Sequence, residues 1–76
     1  MMDSMDATIM RKHISEKVNR YLAQNEMTGA QLAENAKVHP NTVTNCRSGI
    51  GLPLLHTAYR LARAMDMTLD ELTGMQ

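Results

Sequence analysis

The sequence predicts an all-α protein, a compact five-helix bundle folded as a single domain. Three features carry that prediction. The apolar residues are mostly Ala, Leu and eight Met, and the only aromatics are Tyr21 and Tyr59, a palette suited to helices. Two Thr-x-x-Gln/Glu boxes, Thr28 to Gln31 and Thr68 to Glu71, mark helix starts. Glycine and proline punctuate the apolar-periodic segments, and no strand alternation, internal repeat or low-complexity tract interrupts them.

Taken in order, residues 1–7 are expected to fray and residues 8–76 to form the domain. The spacing predicts a first helix from Thr8 to Asn25, with Ile14, Val18, Tyr21 and Leu22 as its apolar stripe and Arg11, Lys12, Glu16, Lys17 and Arg20 facing water. Met27 precedes the Thr28 cap as a hydrophobic staple would. The second helix turns Leu32, Ala33 and Ala36 to one face. Lys37, Val38 and His39 make a three-residue turn. Pro40 takes the first position of the next helix, where its missing N–H costs nothing. Val43 and Cys46 point inward from that helix, and Gly49 supplies the left-handed residue that stops it. Ile50-Gly51-Leu52-Pro53 reads as a connector. A fourth helix is expected from Pro53 to Asp66, with Leu55, Ala58, Tyr59, Leu61, Ala62 and Met65 inward. A short fifth opens at Thr68 and ends before Gly74.

At 76 residues the core is small, so economical helix packing or dimerisation must support it. No stretch reaches a transmembrane length, and the first residues lack the pattern of a signal peptide. The single Cys46 reads as a buried small hydrophobe. Together these suit the cytoplasm. Net charge is zero, but the charges are not evenly spread. Residues 8–63 hold all eight basic residues against three acids, a balance of +5, and the other acids lie at the two ends. A basic body of this size can neutralise a handful of phosphates.

The stretch 28–49 carries the functional signal. On its second helix, residues 40–48, Asn41, Thr44, Asn45 and Ser48 recur at i, i+3, i+4 and i+7. A face left to water usually carries Glu and Lys, which favour helix more than Asn and Thr do. A stripe of short hydrogen-bonding side chains instead suits contact with another surface, and a helix-turn-helix offers such a face to the DNA major groove.

From Val18 to Gly74 the chain resembles the helix-turn-helix domains of the phage repressor and Cro type, the Xre family with its lambda-repressor-like fold. Met27-Thr28, Leu32-Ala33, Val38, Val43, Gly49, Pro53, Leu61-Ala62 and Thr68-Leu69-Asp70-Glu71-Leu72 carry the resemblance. It implies that helix 40–48 is the recognition helix, with Pro40, Asn41, Thr44 and Asn45 at base edges. Thr28 and the Gly29 amide would meet a phosphate, with Thr42, Ser48 and the 50–52 loop near the backbone; read from their own positions, Lys37, His39 and Arg47 are expected to contact the backbone too. Some positions depart from the family pattern. Lys37 stands where the family often has glycine. Gly29 stands where it often has a polar residue. Pro40 stands where a base-reading side chain is common, so contact there is apolar. Many relatives pair an Arg late in the first helix with a Glu late in the third; here those positions are Leu22 and Arg47. Losing both together avoids a stranded buried charge, worth ~3–5 kcal/mol. Leu22 is therefore expected in the core, and Arg47 is expected outside and free for a phosphate.

The expected function is sequence-specific binding of double-stranded DNA by a transcriptional regulator, a repressor acting as a homodimer. The alternative is a protein-interaction module, such as an antitoxin or adaptor, whose main partner is a protein. No Ser-His-Asp set, inward carboxylate pair, phosphate-binding glycine loop or metal-ligand cluster is present, so no enzyme activity, cofactor, metal or small-molecule ligand is expected. His13 and His56 lack ligand-spaced partners.

Overall fold

The computed structural model describes residues 4–74. In chain order its helices are α1 (Ser4–Gln24), α2 (Gly29–Ala36), α3 (Pro40–Ser48), α4 (Leu55–Ala64) and α5 (Leu69–Thr73). α1 packs against α3 and α5, α2 against α3 and α4, and α4 against α5. The core gathers Ile14, Val18 and Leu22 of α1, Leu32, Ala33 and Ala36 of α2, and Val43 and Cys46 of α3. Leu61, Ala62, Met65 and Leu72 complete it. Alanines at four of the buried positions let the helices cross closely.

Both capping boxes form. The Thr28 hydroxyl accepts from Gln31 N–H at 3.1 Å while the Gln31 side chain accepts from Thr28 N–H at 2.9 Å. Thr68 and Glu71 repeat the pair at 3.1 and 3.0 Å. Lys37 ends α2 in the left-handed conformation, φ 60 and ψ 45, so this non-glycine residue accepts the strain of the turn. Gly49 stops α3 at φ 70. Gly74 follows α5 at φ 72, and a Cβ there would lie 2.5 Å from the His13 ring, so two separate constraints exclude a side chain.

The start of α1, both ends of α4 (which stops at Ala64, not Asp66) and two side chains differ from expectation. α1 begins at Ser4, about a turn before Thr8, so residues 4–7 are helical rather than frayed; residues 1–3 lie outside the described ones. Asp6 in the first turn favours that extension through the helix dipole. α4 begins at Leu55, not Pro53. Leu54 is extended, φ −61 and ψ 153, and supplies no side-chain cap. Leu55 is 76 % exposed and Tyr59 50 %, so neither belongs to the inward stripe. The neighbours of α4 cover only the narrow face of Ala58, Leu61, Ala62 and Met65. Tyr59 instead accepts a hydrogen bond from Arg63 Nη1 at 3.0 Å and lies beneath its guanidinium.

Candidate nucleic-acid interface

α3 is fixed from behind and open in front. Val43 and Cys46 are 1 % and 2 % exposed, whereas Pro40, Asn41, Thr44, Asn45, Arg47 and Ser48 are exposed and Thr42 is half-buried. Burial pushes the Cys46 thiol above its ordinary pKa. At the N-terminus of α3, His39 Nδ1 accepts from Asn41 N–H at 3.1 Å, so the imidazole serves as the helix cap. Thr44 donates its hydroxyl back to Pro40 C=O at 3.2 Å, a local bond that leaves the Asn41 and Asn45 amides as the stripe's main hydrogen-bonding groups. Both presented together are suited to bidentate adenine recognition.

The C-terminal end of α3 is tied to α1. The last carbonyls of a helix have no partner within it. Arg47 C=O receives Ser15 Oγ at 2.7 Å and Asn19 Nδ2 at 3.3 Å. The Arg47 side chain is held too: its Nε donates to Asn19 Oδ1 at 2.7 Å. Arg47 is thus outside, as expected, but it is not free; an amide on α1 takes over the holding role. Leu22 is in the core at 4 % exposure.

Arg47 also lies close to Gly29. A Cβ on Gly29 would sit 3.3 Å from Val43 Cγ1 and 3.6 Å from Arg47 Nη1. The first turn of α2 therefore lies against both the anchor of α3 and its cationic side chain. A side chain at Gly29 would crowd the Val43 methyl, and the Thr28–Gly29 end of α2 comes to lie beside a guanidinium.

The remaining expected residues separate into groups. Thr44, Arg47 and Ser48 line one open hollow with Asn19. Thr42 and Asn45 line another, with Ile50, Leu52 and Leu54 of the connector on its far side. Lys37 lies elsewhere, in a hollow shared with Tyr59, Arg60 and Arg63 of α4, and Arg60 Nη1 donates to its carbonyl at 3.4 Å. That places three more cations beside the α2–α3 turn.

Residues 18–72 match the helix-turn-helix family model, a span that runs from the last third of α1 into α5 and contains α2, α3 and α4 whole. The chain belongs to the Xre-type helix-turn-helix family. No characterised protein and no solved structure matches it. Membership of this helix-turn-helix family indicates a DNA-binding function of the transcription-regulator kind. Among the described residues, no helix is long and apolar enough to cross a membrane. Beyond the expected helix-turn-helix residues, the fold adds Ser15 and Asn19. Their contacts span 32 and 28 residues of sequence, so no local pattern announces them. The only hint is two short polar residues, four apart, each following a residue of the apolar stripe of α1.

Proposed function

We propose that this chain is a sequence-specific double-stranded DNA-binding transcriptional regulator, a repressor that inserts α3 into the major groove. The observation that carries this reading is the division of α3 into a buried Val43–Cys46 edge and an exposed Asn41–Thr44–Asn45–Ser48 edge. Asn41 and Asn45 each read adenine through N6 and N7, and the Thr44 methyl or the Pro40 ring meets a thymine methyl. The reading stripe holds no Arg or Lys to take guanine, so A·T pairs are preferred at the read positions. Thr28, Gly29, His39, Thr42, Arg47 and Ser48 approach phosphates, and Lys37 reaches the backbone from the turn.

Two copies act together, on half-sites roughly 34 Å apart. Ile50, Leu54 and Leu55 are 72 %, 71 % and 76 % exposed beside the recognition helix. The run from Ser48 to Tyr59 holds no charged residue, so identical surfaces meet across a two-fold axis without like-charge repulsion. Pairing completes on a palindromic site. Leu54→Glu with Leu55→Glu is expected to leave half-site binding intact and abolish cooperative binding to the full site.

The decisive test is selection of binding sites from random duplexes, followed by Asn41→Ala and Asn45→Ala. Each substitution is expected to relax one read position, with ~1–3 kcal/mol of discrimination lost. Selection that returned G·C at those positions, or no enrichment, would overturn the reading. A second reading, a protein-interaction module such as an antitoxin or adaptor, is favoured by the same exposed apolar run. Retention on non-specific DNA separates the two: a steep salt dependence belongs to the regulator, and none to the module.

A further inference from the structure

We propose that Asn19 is a positioning residue for DNA binding: it aims Arg47 at a phosphate while leaving the guanidinium charge unspent. The inference rests on the DNA-binding reading above.

The geometry is a two-point hold. Asn19 Oδ1 accepts from Arg47 Nε at 2.7 Å, and Asn19 Nδ2 donates to the backbone carbonyl of the same residue at 3.3 Å. Nδ2 also lies 3.4 Å from Ser15 Oγ, which itself donates to that carbonyl at 2.7 Å. One amide therefore fixes both ends of Arg47, and it can do so only because it carries an acceptor and a donor together. A carboxylate supplies the acceptor without the donor. An alanine supplies neither.

Charge is the second half of the argument. A guanidinium has five N–H donors in a rigid fork. The hold takes Nε and leaves the two terminal nitrogens, of which Nη1 lies beside Gly29 at the start of α2. An acid at position 19 would pair with the Arg47 guanidinium and cancel its charge, while losing the donor to the Arg47 carbonyl. A neutral amide orients the cation and leaves it able to bind an anion at full strength. Asn19 and Arg47 line the same hollow as Thr44 and Ser48, two residues of the outward stripe of α3. The held cation thus stands at the border of the surface assigned to DNA.

The test compares Asn19→Asp, Asn19→Ala and Arg47→Ala with the parent chain. Affinity for one duplex is measured across a salt series, and thermal unfolding is followed in parallel. Arg47→Ala is expected to make the slope of log K against log salt shallower by about 0.9, one phosphate contact. Asn19→Asp is expected to lose affinity about tenfold, with the same shallower slope as Arg47→Ala. Asn19→Ala keeps the cation but loosens it, so affinity falls several-fold while the slope stays at the parent value. A merely structural Asn19 would lower the melting temperature of Asn19→Asp and leave its slope at the parent value; that pattern, or parent affinity in Asn19→Asp, overturns the proposal. An unchanged slope in Arg47→Ala overturns it as well. If Asn19→Asp does not fold, Asn19→Ala decides, and parent affinity there overturns the proposal. A parent chain with no salt-dependent DNA binding is a different failure, that of the DNA-binding reading itself.

Discussion

α2 and α5 both open on a threonine capping box, but their N-termini are charged differently. In α5 the first turn holds Asp70 and Glu71, so the positive end of the helix dipole is met by the chain's own carboxylates. In α2 the first turn is Gly29, Ala30 and Gln31, with no acid. There the box is closed by a neutral amide, and the nearest charged side chain is the cationic Arg47. Backbone geometry is the same in both, with Thr28 at φ −88 and Thr68 at φ −85. The difference therefore lies in electrostatics. One helix end is neutralised internally, and the other is left available to an anion from outside.

The largest expected effect comes from removing each cap. Thr28→Ala and Thr68→Ala should each lower stability by about 1 kcal/mol in chemical denaturation. Only Thr28→Ala should also weaken DNA binding. Equal losses of DNA binding in both variants would erase the distinction between the two ends.

The next effect sharpens the contrast at the far end of α2. Lys37 holds a left-handed conformation without being glycine. Lys37→Gly should raise stability by ~0.5–1 kcal/mol. If Lys37 meets the DNA backbone, the same variant binds more weakly despite being more stable, and a binding isotherm beside a denaturation curve reads both.

Exchanging the box partners gives a smaller effect. Gln31→Glu should stabilise α2 by ~0.3–1 kcal/mol through the dipole and reduce DNA affinity, because it gives α2 the charge pattern of α5. Glu71→Gln should leave DNA affinity unchanged.

The smallest effect is a pH dependence confined to α5. Glu71's carboxyl sits below its usual range, first because Thr68 N–H donates to it. A carboxyl lowered in the folded state stabilises fully above its unfolded pKa, and that contribution fades as pH falls through the folded value. Hydrogen exchange should show the α5 amides losing protection in acid before those of α2, whose Gln31 does not titrate.

Much of this was legible in the sequence, for local reasons. Capping boxes, the Pro40 start and the Gly49 stop are decided within a few residues, and they fall where expected. The outward stripe of α3 was legible because Val43 and Cys46 fix which way the helix faces. Leu55 and Tyr59 were misplaced because periodicity shows which residues share a face but not how wide a face the neighbours will cover. The crowding around Gly29 and the hold that Asn19 places on Arg47 join distant segments. Such contacts leave no spacing to read, and the vanished Arg–Glu pair pointed only to a changed environment, not to the amide that supplies it.

Cys46 is the chain's single cysteine, and it is shut behind α3 at 2 % exposure with a thiol made less acidic by burial. Cys46 lines the hollow between α3 and the 50–54 connector, so an alkylating reagent reaches that sulfur when α3 or the connector moves away. The labelling rate of the unmodified protein is therefore a clock for that opening, and a bound duplex should slow it.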